Sequence, residues 1–287
     1  MELFRALAVL AEPPTDEAAR VAEALELGEL PEQSEYTDLF VFQLYPYASV
    51  YLGAEGMLGG EARDRIAGFW RALGQTPPVE SDHLSVMLGL YARLAELETD
   101  ESDAVRREGW HRARVAFLWE HLLSWLPAYL SKMKEIASPF YQRWSECLRD
   151  ALWQEARACG RPEQLALHLR DAPPLIDPRE HEAAEFLQSL LTPVRSGMIL
   201  VRSDLSRAAR QLELGLRMGE RKFVLKSLLS QDASGMLDWL KDEANDWAAR
   251  HHTHQEILGE TATAWENKAL AAAELLNELK QTAKEKA

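Results

Sequence analysis

VAFLWEHLLSWLP, residues 115–127, is the stretch on which the fold class turns. Val115, Leu118, Trp119, Leu122, Leu123 and Leu126 recur at the i, i+3, i+4, i+7 spacing that puts apolar side chains on one helical face. Pro127 either ends that helix or opens the next one in its first turn. The same spacing fills most of the remaining chain. Ser138-Pro139 reads as a cap followed by a first helical position, and Gly160 as a stop. The one strand-like run, VFQLYPYASVYL (41–52), carries Pro46 in its middle and has no partner run. The expectation is an all-α fold, a helical bundle with an additional C-terminal helical region.

The chain has 287 residues, enough for one large or two modest domains with cores of their own. Apolar residues make up 47% and charged residues 27%, the balance of a soluble globular protein. The formal net charge of −14 repels phosphate, so nucleic acid is not an expected partner, while a basic partner is attracted. Cys147 and Cys159 lie twelve apart with no C-x-x-C, which fits a reducing compartment and no disulfide framework. The N-terminus lacks the basic start of a secretion signal, and the longest apolar stretch (39–52) is broken by Gln43 and Pro46. A cytoplasmic protein without membrane insertion is expected.

RDAPPLIDPRE (170–180) packs three prolines and two aspartates into eleven residues, a poor helix and a good connector. The expected organisation is a helical domain over 1–160, a Pro-rich linker over 161–178 and a helical extension over 179–287. Near the end, Leu258, Ala262, Trp265, Ala269, Ala272, Leu276 and Leu279 keep a seven-residue rhythm. The seam is narrow and Ala-rich, so docking of a terminal helix on its own domain is the plainer reading than a coiled coil.

Chemistry-bearing clusters are few. Tyr36, Leu39 and Phe40 share one face of a helical turn, which suits either a core stripe or a binding face. Ser81 or Asp82 is placed to cap the helix that begins near His83. Asp82 and His83 are adjacent, so on a helix they diverge by about 100° and cannot form an acid-oriented imidazole. HHTH (251–254) offers one metal-ligand spacing, His251 with His254, and reads more simply as a solvated cluster at a helix end. No metal site and no phosphate-binding loop is expected. Residues 195–226 hold eight basic and three acidic side chains, a local +5. Arg207, Arg210, Arg217 and Arg221 there pair with acidic neighbours, meet an anionic cofactor or touch an acidic protein surface. A helical DNA-binding regulator using this segment is the alternative to the reading that follows.

Four motifs in the first half carry a resemblance. YTDLF (36–40) fits an aromatic-x-x-Leu-Phe pattern. YPYASVYLG (45–53) is similar to a Pro-aromatic-x-Ser-Val-Tyr segment, SDHL (81–84) to a Pro-x-Asp-His hinge, and WEHLLSWLPAYL (119–130) to a His-Leu-x-x-Trp-x-Pro helix. Together they resemble the TorD/DmsD/NarJ family of cytoplasmic chaperones for molybdenum enzymes over roughly residues 1–155. The hinge proline is Glu80 here, with Pro77 and Pro78 earlier.

The resemblance implies a non-catalytic chaperone. Its partner would be the apo-precursor of a molybdopterin oxidoreductase catalytic subunit, bound through its twin-arginine signal peptide or its mature surface. Such a chaperone assists cofactor insertion, assembly and export proofreading. It holds no permanent cofactor, with a transient contact to molybdopterin guanine dinucleotide as the one exception. A monomer or a homodimer is compatible. An apolar groove with a carboxylate rim suits such a peptide. Tyr36, Leu39, Phe40, Glu80, Asp82 and His83 are the docking residues that follow, with Tyr51 and Trp125 supporting the groove from behind.

Overall fold

The computed structural model describes residues 1–285. Helices dominate, and among the described residues the only β-type pairing is an isolated antiparallel bridge between Tyr47 and His83. The all-α expectation holds. The chain divides into two compact units, residues 1–49 with 58–170, and residues 50–57 with the chain from Asp171 onward.

In the first unit, helix Glu2–Val9 lies against Leu84–Asp100 and Pro139–Cys159. Phe4 meets Tyr91 edge-on at 5.0 Å, and Trp144 Nε1 donates to Leu7 O at 3.1 Å. A buried indole N–H usually finds such an acceptor. Arg114, on helix Ala104–Phe117, donates to Glu98 and to Glu155, each at 2.6 Å, and to Tyr91 Oη at 3.0 Å. One guanidinium thus ties three helices through its planar fork of donors.

The stretch 115–127 is helical but not one helix. Ala104–Phe117 widens into a π segment, Leu118–Leu122, closed by Leu123 N to Leu118 O at 2.8 Å. Helix Leu126–Ile136 then begins with Pro127 in its first turn. Of the two roles open to Pro127, it opens the next helix. Every residue from His121 to Leu130 is buried, so the segment is enclosed all round. A second π segment, Thr37–Gln43, is closed by Leu44 N to Leu39 O at 2.7 Å. Each π segment adds a residue to the helical turn, a local widening that recurs at functional places in proteins. Helix Pro139–Cys159 starts and stops at the expected Ser138-Pro139 and Gly160, but the Ser138 hydroxyl makes no capping bond.

In the second unit, helix Ala233–His252 packs along Glu260–Glu285. Leu258, Ala262, Trp265, Ala269, Ala272 and Leu276 are buried and Leu279 is half-buried, so the seven-residue seam docks on its own unit. Gly197 (φ +72°) lets the chain pass so close that a Cβ there would sit 2.3 Å from the Ala269 amide nitrogen. His251 lies between Trp247 and Trp265, with centroids 5.3 and 5.6 Å away, and its Nε2 is 2.9 Å from Gly197 O. It is a core histidine, and burial holds its pKa down at about 4. Among the described residues no helix is long and apolar enough to cross a membrane.

Candidate functional site

Three of the four motifs meet in one corner of the first unit. Pro46 interrupts the run 41–52, and the extended residues around it pair with the turn before helix Leu84–Asp100. Ala48 N donates to Asp82 O at 3.0 Å, and Leu84 N to Pro46 O at 2.8 Å. The Asp82 carboxylate accepts from Ser49 N at 3.2 Å, in the first turn of helix Ala48–Leu52. Asp82 therefore caps a helix, but the one beginning at Ala48. The N-cap of Leu84–Asp100 is His83, whose Nδ1 lies 3.4 Å from Ser85 N. Ser81 Oγ is 3.4 Å from Arg63 O.

The imidazole of His83 is boxed in. Tyr47 meets it edge-on at 4.8 Å, its Nδ1 is 2.7 Å from Ser85 Oγ, and Ser85 Oγ donates to the Glu12 carboxylate. Burial lowers the His83 pKa, against the opposing pull of Glu12, Glu80 and Asp82. Tyr47 is pushed up to about 12 by burial and then by Glu80, whose carboxylate it faces. Tyr36 is likewise raised to about 12 by burial, with Glu12 and Glu80 adding to it. Three carboxylates thus surround two phenols and an imidazole kept on the neutral side. Glu12 and Glu80 are exposed and Asp82 is buried.

This placement corrects the expected division of labour. Tyr36, Leu39 and Phe40 are only 7%, 5% and 2% exposed. Tyr36 Oη points to Ala11 O at 3.5 Å, and Phe40 packs edge-on to Tyr141 at 5.1 Å. They are the core side of the π segment and form no open wall. Its solvent side carries Val41 and Phe42. Asp82 and His83 are also buried and bonded into the frame, so they do not reach a partner directly. Glu80 alone of the six expected docking residues is exposed, in the turn after Val79. Trp125 is buried with its Nε1 donating to His121 O at 2.8 Å, and Tyr51 is buried as well.

Sequence reasoning missed Glu12, Tyr47 and Ser85. Tyr47 lies inside a quoted motif and its ring could have been weighed. Glu12 carries no local signal, since it reaches the corner from 73 residues away through Ser85.

In the basic segment, Arg207 donates to Glu243 at 2.6 Å and to Asp204 at 3.0 Å. Arg221 donates to Leu200 O at 2.6 Å. Both are half-buried and bonded within the fold, while Arg210 and Arg217 are exposed. Among the described residues no three His, Cys, Asp or Glu side chains gather as a metal-binding set.

Residues 8–131 match the family model described as nitrate reductase delta subunit. A Vibrio vulnificus (strain YJ016) protein named "Chaperone protein TorD" is 32% identical over 114 residues, 36% of this chain and 51% of that protein. A Photobacterium profundum protein of the same name is 30% identical over 93 residues, 31% of this chain and 43% of that protein. One from Vibrio cholerae serotype O1 (strain ATCC 39315 / El Tor Inaba N16961) is 28% identical over 142 residues, covering 42% and 64%. The chain thus spans about half the length of the first two of these relatives. No solved structure matches significantly.

Proposed function

We propose, from the match of residues 8–131 to the family model described as nitrate reductase delta subunit and the similarity to proteins named "Chaperone protein TorD", that this chain is a non-catalytic chaperone for the maturation of a molybdopterin-dependent oxidoreductase. It binds the apo catalytic subunit through a basic, partly apolar segment of the twin-arginine type. The observation that carries this reading is the meeting of YPYASVYLG and SDHL across the Tyr47–His83 bridge, beneath the exposed carboxylates of Glu12 and Glu80. The buried motif residues hold the corner in shape. The two exposed carboxylates supply directional, bidentate acceptors for guanidinium groups. Val41 and Phe42, exposed on the π segment, supply apolar area of the kind that the rest of such a peptide needs. The net charge of −14 favours encounter with a cationic segment.

The test is a calorimetric titration with a synthetic peptide carrying two adjacent arginines followed by an apolar stretch. Glu12→Gln with Glu80→Gln is expected to weaken binding about tenfold or more, roughly 1.4 kcal/mol or above, with an unchanged melting temperature. Binding of equal strength by the double variant, or by a peptide with both arginines replaced by alanine, would contradict the assignment.

A further inference from the structure

In the second unit, the loop 212–220 between helices Arg202–Gln211 and Arg221–Gln231 exposes what proteins usually hide. Met218 is 88% exposed, Leu216 49% and Phe223 47%. The loop is nevertheless built. Gly215 is gripped from both sides by one side chain, its N–H donating to Gln231 Oε1 at 2.8 Å and its carbonyl accepting from Gln231 Nε2 at 2.9 Å. Glu213 holds a left-handed φ of +56°. At Gly219 (φ +152°) a Cβ would come within 2.8 Å of the Phe223 ring, so the ring lies close against bare backbone. A non-glycine residue in the left-handed region costs energy that the surroundings must offset. At Glu213 that conformation closes helix Arg202–Gln211, with Leu214 N donating to Ala209 O at 2.8 Å.

Between the loop and the helices is a cavity of about 110 Å³, lined by Arg202, Leu205, Ser206, Arg217, Met218 and Val224. A 150 Å³ apolar cavity accepts benzene, so this one is close to the bulk of a single aliphatic side chain. Leu205 and Val224 in its lining are buried, and Arg202 and Arg217 in its lining are exposed. Arg210 and Lys226 are also exposed on the two helices, against the exposed carboxylates of Glu213 and Glu220. Residues 195–226 carry +5, and the rest of the chain therefore −19.

We propose that this loop is a preorganised docking surface for an acidic segment of another protein that inserts one large aliphatic side chain between Leu205, Met218 and Val224. The charge sign selects the partner. A basic segment is drawn to the rest of the chain, while an acidic one meets the exposed Arg202, Arg210, Arg217 and Lys226, which outnumber Glu213 and Glu220 here. Because the loop conformation is already held, docking orders little new backbone. The inference stands on the second unit alone and does not depend on the reading of the first.

The test uses fluorescence anisotropy with a labelled amphipathic peptide bearing glutamates on one face and leucines on the other. Two control peptides replace the glutamates with lysines or the leucines with serines. The glutamate–leucine peptide is expected to bind, and each control to bind about tenfold more weakly or worse. Met218→Asp and, separately, Arg217→Glu are expected to produce a similar loss with an unchanged melting temperature, since both side chains are exposed. Equal binding of the lysine peptide, or no effect of either variant, would overturn the proposal. So would binding only to vesicles of phosphatidylcholine and phosphatidylserine, which would make the loop a lipid contact. Self-association in sedimentation velocity that Met218→Asp abolishes would also overturn it, in favour of a second copy.

Discussion

The corner at Tyr47 and His83 and the loop at Met218 divide their chemistry in opposite ways. In the corner, the residues that make a recognisable motif are buried and hydrogen-bonded, and the exposed groups are neighbours that no motif names. In the loop, no motif is present, and the side chains that stand out face solvent. The difference teaches that a motif in a helical protein marks what the frame cannot lose. Asp82 is a motif residue because its carboxylate and carbonyl join two chain segments more than 30 positions apart.

The contrast can be broken most forcibly through packing. Gly197→Ala places a methyl 2.3 Å from the Ala269 amide nitrogen and strains a left-handed φ, and we expect a loss of about 4 kcal/mol or outright failure to fold. Soluble yield and thermal melting measure it. Asp82→Ala strips the acceptor from Ser49 N in a buried corner and is expected to cost about 2 kcal/mol. If melting were unchanged and peptide binding lost, Asp82 would be a contact residue and the distinction between frame and surface would fail.

Acid sharpens the comparison, because each unit holds a buried histidine whose pKa lies well below its ordinary value. Burial holds His121, in the first unit, at about 3, and His251, in the second, at about 4, both below the ordinary 6.5. Below pH 6.5 the unfolded chain takes up protons that these folded imidazoles refuse. Their contribution is therefore complete above about pH 6.5 and is lost as pH falls toward the folded values. Each adds a slope of up to about 1.4 kcal/mol per pH unit. Chemical denaturation at pH 7 and pH 5 should show the loss, and His251→Gln should remove one share of it. A slope unaltered by that variant would mean His251 is protonated in the fold. The smallest effect is expected at the loop, where Met218→Ala should change stability by no more than about 0.5 kcal/mol. A larger loss in denaturant titration would show that Met218 is held in place by the fold.

Much of the fold was legible in the residues. The apolar spacing of 115–126 gave helix, Ser138-Pro139 and Gly160 bounded the longest helix of the first unit, and the terminal seam docked as its alanines suggested. The two π segments were not legible, because inserting one residue in a turn leaves local apolar spacing nearly intact. Nor was the excursion of residues 50–57 into the second unit, which depends on contacts far along the chain. In the candidate site the right region was readable and the right side chains mostly were not. Tyr36, Leu39 and Phe40 have a spacing that serves a core and a groove equally well. Glu12 became visible only once Ser85 and His83 placed it.

The central claim is that a cationic peptide lands on the exposed acids around a buried motif frame in the first unit. Hydrogen–deuterium exchange of the full chain, with and without the two-arginine peptide, tests it most directly. Slower exchange is predicted at residues 45–48 and 79–85, with residues 212–220 unaffected. Protection confined to 212–220, or spread over neither region while the peptide is bound, would contradict it.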